Sequence, residues 1–185
     1  MDKIVYFFNN NQRTDYCAGE KYEAFLDYAF ERTDYFMLVY VNDCGRGYTQ
    51  IMKQFRDELR PFKVKSRTNA SWPGTRWTYT PFSPKPSSCK VVFYRNDPAA
   101  KLILKKVHKM SDWTRPSYPQ DLAFFKGNQC WFTSTGHETI AGILHATKED
   151  IAELDRIGIP HNKPFVPKDL HDMDYCDEDF SKCRR

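Results

Sequence analysis

Two apolar runs surround a polar turn in the stretch Leu122-Ala123-Phe124-Phe125-Lys126-Gly127-Asn128-Gln129-Cys130-Trp131-Phe132-Thr133. Both runs are rich in the aromatic residues that β-strands favour, and a glycine stands in the short polar connection between them. The stretch therefore predicts a β-hairpin. Because it lies in the last third of the chain, we refer to it as the C-terminal hairpin.

Strand patterns and helix patterns alternate before this hairpin. Apolar runs predict strands at residues 4–8, 36–41 and 91–94. Apolar residues three and four positions apart predict helices at residues 20–32, 49–59 and 98–110. After the hairpin, residues 140–144 predict a further strand, and Thr147 with Asp150 forms the capping box of a last helix. This order predicts an α+β fold with a mixed sheet and about four helices.

The length of 185 residues fits one domain. We assign residues 1–160 to this domain and residues 161–185 to a loosely attached acidic tail. The composition, 41% apolar and 28% charged, excludes the disordered, collagen-like and coiled-coil classes. Every apolar run is far shorter than the roughly 20 residues of a membrane helix. No export signal precedes the six cysteines, so we expect free thiols and a cytoplasmic protein without a membrane partner.

The positive charge is concentrated in the middle of the chain. Residues 53–126 carry 16 basic and 5 acidic side chains, whereas the chain as a whole has a net charge of +4. A field of this kind attracts anionic partners but does not determine the fold. The partner could be a nucleic acid, an acidic protein or the acidic tail of the chain itself.

Residues 61–90 contain several prolines and predict no long regular element. Within them Trp72-Pro73-Gly74-Thr75 predicts a turn, and residues 77–80 a short strand. Basic and aromatic residues alternate along the segment, and the candidate binding residues are Lys65, Arg67, Trp72, Arg76 and Trp77. Cations and aromatic faces bind phosphates and bases, but the signatures of RNA- and DNA-binding folds are absent. Interfaces between proteins use the same side chains as anchors.

The end of the C-terminal hairpin brings together candidate catalytic groups. Cys130, His137 and Glu138, with Ser134 nearby, could supply a nucleophile and an acid–base pair. The alternative is structural: a packed thiol, a serine in a turn, and a histidine and glutamate that bond to backbone at a strand end. Alternation along the strand places Cys130 on the face opposite Trp131.

No metal or cofactor is predicted. The spacings of the histidines and cysteines match no zinc pattern, and Gly45-Arg46-Gly47 lacks the strand and helix that a phosphate-binding loop requires.

Several short motifs recur together in one known family. They are Trp72-Pro73-Gly74-Thr75, Asp112-Trp113 with Pro116, Pro119-Gln120-Asp121-Leu122, Trp131-Phe132 with Ser134, and His137-Glu138. Over roughly residues 72–141 the chain resembles a family of small uncharacterised proteins of Gram-positive bacteria, some of which carry the label of a stage III sporulation protein. The family usually has Pro-Glu-Asp-Leu where Gln120 stands. The resemblance implies a recurring structural unit and no catalytic residue, and the label fits poorly because that membrane-anchored protein needs a transmembrane helix.

Taken together, these patterns predict a non-enzymatic binding protein that recognises another protein as an inhibitor, an immunity factor or a regulator. Two alternatives stay open. One is a small enzyme that uses His137 with Glu138 or Cys130, and the other is nucleic-acid binding through residues 53–126.

Overall fold

Four helices and nine strands are formed by the residues that the computed structural model describes, which are 3–7, 16–42, 47–68, 71–76, 89–166 and 176–183. The helices are α1 (Glu20–Arg32), α2 (Gln50–Glu58), α3 (Pro98–Leu104) and α4 (Lys148–Ile157). The strands are β1 (Val5–Phe7), β2 (Tyr35–Val41), β3 (Lys63–Thr68), β4 (Ser71–Trp72), β5 (Thr75–Arg76), β6 (Cys89–Arg95), β7 (Gln120–Lys126), β8 (Gln129–Thr135) and β9 (Ile140–Ile143). The predicted α+β class and the four helices are confirmed.

Seven strands form one sheet in the order β1-β9-β8-β7-β2-β6-β3. Every strand pair in the described part of the chain is antiparallel, which differs from the mixed sheet that we predicted. The reason is topological. Strands β6 and β7 run in the same direction on either side of β2, so the helical connection between them creates no parallel neighbours.

Strand β2 is buried on both faces, because opposite sides of the sheet are covered by different parts of the chain. Phe36, Leu38 and Tyr40 pack in a first core, which holds the buried residues of all four helices. Met37, Val39 and Val41 alternate with them and pack in a second core. This two-sided burial explains why the strand is a continuous apolar run.

Local signals in the sequence predict most of the turns and helix ends correctly. Thr147 and Asp150 form the capping box of α4, and Gly158 ends that helix in the left-handed conformation with φ of 78°. The C-terminal hairpin forms as β7 and β8, connected through Gly127 with φ of 57°. The Trp72-Pro73-Gly74-Thr75 turn joins β4 to β5. The strand predicted at 77–80 lies outside the described residues.

The C-terminal segment 176–183 packs against the second core, contrary to the expected loose attachment. Cys176 and Phe180 are buried, and the ring of Phe180 stacks on Tyr35 with 4.2 Å between centroids. Edge contacts at 5.5 Å join Phe180 to Phe93 and to Phe125. Full burial of one such ring contributes about 1.5–3 kcal/mol, enough to hold a short acidic segment on the sheet.

Candidate binding site

A buried carboxylate brings the motifs of the middle of the chain together. Asp121 is fully buried, and its Oδ2 accepts hydrogen bonds from Trp72 Nε1 at 2.8 Å, Thr75 Oγ1 at 3.1 Å and Gln120 Nε2 at 3.1 Å. Its Oδ1 accepts a fourth bond, from the backbone N–H of Gly136 at 3.0 Å. Burial raises the pKa of Asp121, although these four donors oppose that effect. The carboxylate therefore fastens the β4–β5 hairpin to the sheet.

Two glycines allow the close packing around this carboxylate. A Cβ atom at Gly74, which has φ of 83°, would lie 2.6 Å from Thr133 Oγ1. A Cβ atom at Gly136 would lie 2.2 Å from the carbonyl oxygen of Trp113. A side chain at Gly74 would press against β8 and displace the hairpin, and a side chain at Gly136 would clash with the backbone of Trp113.

The candidate anchor Trp72 belongs to this buried cluster. It is 1% exposed, and its indole N–H is directed at Asp121. The role of surface anchor that we predicted for Trp72 is therefore wrong, because a partner could not reach the ring without unfolding the hairpin. Arg76 has its backbone in β5, but its side chain lies outside the described residues, as does all of Trp77.

The catalytic candidates do not converge on one point. The thiol of Cys130 is fully buried in the second core, and Trp131 lies in the first core, as the alternation predicts. The Cys130 Sγ donates to the carbonyl oxygen of Phe132 at 3.5 Å. Burial raises the pKa of Cys130 well above its usual range, so the thiol stays protonated and is a poor nucleophile.

His137 and Glu138 lie on the surface in a short 3₁₀ turn after β8. Their side chains are 52% and 56% exposed, and His137 Nε2 lies 3.7 Å from Glu138 Oε1. Ser134 is buried instead, where its hydroxyl donates to the carbonyl oxygen of Leu122 at 2.9 Å and accepts from the N–H of the same residue at 3.0 Å. Ser134 therefore lies within β8 instead of the turn that the structural alternative placed it in, and the exposed His137 and Glu138 contact each other.

A cleft of about 330 Å³ lies beside Glu138, between Gly74 and the β8–β9 surface. Its walls include the hydroxyl-bearing residues Thr133 and Thr135 and the apolar Ile140. Cys130, His137 and Ser134 are absent from these walls. Of the predicted catalytic residues only Glu138 lines the cleft, so the predicted pairing of His137 with Glu138 or Cys130 is not assembled there.

Lys65 and Arg67, two further candidate binding residues, are held by the C-terminal segment. Glu178 accepts from both cations, with Lys65 Nζ at 2.7 Å and Arg67 Nε at 3.1 Å. Lys65 also donates to the carbonyl oxygen of Asp179. The Lys65 ammonium lies 4.7 Å from the ring centroid of Phe180, a favourable cation–π distance. The acidic tail is thus the partner of these two cations.

Most cations of α3 and its neighbourhood are paired as well. Asp27 in α1 pairs with Lys101 at 2.7 Å and with Lys105 at 2.9 Å. Glu58 at the end of α2 pairs with Lys106 at 2.6 Å. The basic middle of the chain is therefore neutralised in large part by carboxylates from other elements.

A second cleft, which we call the cationic cleft, contains cations that are not neutralised in this way. Its volume is about 320 Å³, and its lining residues are Arg56, Asp57, Arg60, Lys63, Lys90, Val92 and Tyr94. The carboxylate of Asp57 lies 2.9 Å from Arg60 and 3.5 Å from Arg56. The hydrogen bond from Arg60 lowers the pKa of Asp57, which therefore stays ionised at neutral pH. Four cations thus line the cleft with one carboxylate among them, and that carboxylate pairs with the two arginines.

Three elements position the side chains of the cationic cleft. Thr49 caps α2 by accepting from the N–H of Met52 at 3.2 Å, and the helix presents Arg56 to the cleft. Lys63 begins β3, and Lys90 lies in β6 opposite Thr68. Neither lysine forms an ion pair in the described part of the chain. A negatively charged group in this cleft would meet two cations that have no competing carboxylate.

The floor of the cationic cleft is neutral. The hydroxyl groups of Tyr94 and Tyr40 hydrogen-bond to each other at 2.8 Å, and burial raises the pKa of both. Both phenols therefore remain protonated at neutral pH. The sequence pattern includes Arg60, Lys63 and Lys90 in the basic middle of the chain but does not single out Arg56, and only the tertiary structure brings the four cations together in one cleft.

The described residues contain neither a metal-ligating cluster nor a membrane-spanning helix. There, no group of three or more histidine, cysteine, aspartate or glutamate side chains is placed to hold a metal ion. No helix in the same part of the chain has the length and apolar character needed to cross a membrane.

Comparison of the chain with protein-family models, with curated proteins and with solved structures finds no match. The resemblance to the Gram-positive family thus stays a prediction. Its motif residues Trp72, Thr75, Gln120 and Asp121 meet in one buried cluster, which is the behaviour expected of a structural unit.

Proposed function

We propose that this protein is a non-enzymatic binding protein and that it recognises an acidic surface of another protein through the cationic cleft. One observation carries the proposal: Arg56, Arg60, Lys63 and Lys90 line one cleft with a single carboxylate among them. Such binding would serve a role as an inhibitor, an immunity factor or a regulator.

The energetics favour a partner with several carboxylates. One exposed ion pair contributes only about 0.2–1 kcal/mol, so a single acidic side chain would bind weakly. Several carboxylates on one surface would bind together and would also be steered to the cleft by its field.

A protein partner explains the cleft better than a nucleic acid does. Binding of single strands uses exposed aromatic faces on which bases stack. Among the described aromatic residues nearby, Tyr94 is buried, and Phe62 is half-buried with the Arg95 guanidinium 5.7 Å from its centroid. Neither ring offers a free face to a base.

A cytoplasmic location belongs to the same proposal. The five cysteines in the described part of the chain, Cys17, Cys89, Cys130, Cys176 and Cys183, are free thiols. Thiols persist in reducing compartments, which supports a partner in the cytoplasm.

The test is charge reversal in the cationic cleft. We expect a fluorescent oligo-glutamate peptide to bind the wild-type protein in low salt, and the double variant Lys63→Glu/Lys90→Glu to lose about tenfold or more in affinity, measured by fluorescence anisotropy. The control is Lys53→Glu, which makes the same type of charge change on the exposed side of α2, outside the cleft. It should change the affinity less than about twofold.

A single-stranded DNA of equal charge is the competing probe. If the DNA binds more tightly than the peptide and depends on Lys63 and Lys90, nucleic-acid binding replaces the proposal. If the double variant and Lys53→Glu behave alike, the cleft is not the binding site.

A further inference from the structure

Strand β3 forms a free edge of the seven-stranded sheet. It is the last strand in the sheet order and pairs only with β6. The N–H of Lys63 donates to the carbonyl oxygen of Arg60 in the preceding turn, and beyond the ladder the backbone of residues 64–68 forms no other hydrogen bond with the described elements. In an antiparallel pair, alternate residues direct their N–H and C=O groups away from the partner strand. Within the described part of the chain, the outer side of β3 after Lys63 therefore presents unused donors and acceptors.

The opposite edge of the sheet is covered. Ile4 exchanges two backbone hydrogen bonds with Phe165, at 2.8 Å and 3.2 Å. The N–H of Asn162 donates to the carbonyl oxygen of Tyr6 at 3.1 Å, and the Asn162 side chain accepts from the Tyr6 N–H at 2.8 Å. An open edge can pair with other chains, and the edge at β1 is covered whereas the edge at β3 is not covered by described residues.

Cations lie on both faces of β3. Lys63 is opposite Tyr94 and lines the cationic cleft on the helical side of the sheet. Lys65 and Arg67, opposite Phe93 and Val91, point to the other side. A second copy of β3 placed edge to edge would bring like charges together, so the pattern disfavours self-association. An acidic strand would instead complement the cations that line the cationic cleft.

The C-terminal segment already shows how a carboxylate binds on one of these faces. Glu178 contacts both Lys65 and Arg67, so two cations there share one carboxylate. On the other face, Lys63 and the neighbouring Arg60 have only Asp57, which pairs with Arg60. Positive charge without a paired carboxylate therefore remains on the side of the cationic cleft.

We propose that β3 accepts an extended acidic segment of the partner protein as an eighth strand of the sheet. This inference rests on the proposed function and specifies how the partner binds. Backbone hydrogen bonds to the open edge supply affinity, and alternate acidic side chains reach the cationic cleft. The partner therefore needs a stretch of extended chain with aspartate or glutamate at every second position.

The experiment uses a nine-residue peptide of alternating glutamate and valine with the full-length protein. Two further peptides carry N-methyl groups on the odd or on the even residues, which removes N–H donors from one edge of the peptide without changing its charge. We expect one of these two to lose about tenfold or more in affinity and the other less than about twofold, because a strand uses one edge only. Amide hydrogen exchange, followed by NMR, should slow at alternate residues of β3.

The outcomes separate this inference from the proposed function. If both methylated peptides bind like the parent and exchange in β3 is unchanged, strand addition is wrong while recognition of acidic surfaces stands. If neither the peptides nor oligo-glutamate binds, the proposed function itself fails.

Discussion

The two faces of strand β3 carry cations in different states. On one face, Lys65 and Arg67 are bound by Glu178 from the C-terminal segment and lie close to the ring of Phe93. On the other, Lys63 lines the cationic cleft and has no ion-pair partner in the described part of the chain. A partner at the first face would have to replace an existing carboxylate, whereas a partner at the second would only displace water.

The difference shows that the charge of a segment is a poor guide to its binding surface. Residues 53–126 carry an excess of 11 positive charges, yet Asp27 of α1 and Glu178 of the C-terminal segment pair with four of the cations. What remains available to a partner is the fraction without internal pairs. Charge patterning therefore predicts that an anionic group binds, and tertiary structure decides whether it comes from the chain or from outside.

The largest expected effect comes from removal of Phe180, because this ring holds the C-terminal segment against the face that carries Lys65 and Arg67. Phe180→Ala deletes a buried ring that contacts Tyr35, Phe93 and Phe125, and we expect a loss of about 3 kcal/mol in the free energy of unfolding, measured by urea denaturation. Release of the segment should also free Lys65 and Arg67 and raise oligo-glutamate binding. The control is Phe165→Ala, the same change at a ring that is 40% exposed. Equal losses in the two variants would contradict the packing of the C-terminal segment.

A smaller effect is expected at the carboxylate that fastens the β4–β5 hairpin to the same side of the sheet. Asp121→Asn should cost about 2 kcal/mol, because an amide NH₂ would face at least one of the four donors. The pKa of Asp121 is raised by burial, so its favourable contribution is complete below its unfolded value of about 3.8 and is lost as the pH rises through the folded value. The stability advantage of the wild type over Asp121→Asn should therefore shrink as the pH rises.

Urea denaturation at several pH values between about 4 and 7 measures that change. Oligo-glutamate binding in the cationic cleft, measured at neutral pH, serves as the control. The substitution Asp121→Asn should leave this affinity unchanged, since Asp121 lies in a different part of the sheet. A stability advantage that grows with pH would show that the charged form of Asp121 is the favoured one.

The parts of the fold that the sequence predicts correctly rest on local signals. The capping box at Thr147, the turn at Gly127 and the apolar run of β2 each depend on residues that are close in sequence. Strand β3 escaped prediction because Lys63-Val64-Lys65-Ser66-Arg67-Thr68 has one apolar residue and no apolar alternation. An edge strand with polar side chains carries almost no hydrophobic pattern.

The candidate site depended on contacts between distant residues, which a single sequence does not display. Trp72 looked like a surface anchor because it follows a basic stretch, but its indole meets Asp121, 49 positions away in the chain. The acidic composition of the tail suggested loose attachment, but burial of the Phe180 ring holds residues 176–183 on the sheet. Both errors have one physical cause, because burial is decided by tertiary packing rather than by neighbouring residues in the chain.

The smallest expected effects compare the two faces of β3 directly. Lys65→Glu would place a carboxylate beside Glu178 and should cost about 1 kcal/mol of stability, because the paired side chains are largely shielded from water. Lys63→Glu should change stability by less than about 0.5 kcal/mol, because no carboxylate is paired with Lys63. Binding of oligo-glutamate should show the reverse order, with a loss of about tenfold for Lys63→Glu and about twofold for Lys65→Glu. If a single variant showed both the larger loss of stability and the larger loss of affinity, the same cation would serve folding and binding. The distinction between the paired and unpaired faces of β3 would then be wrong.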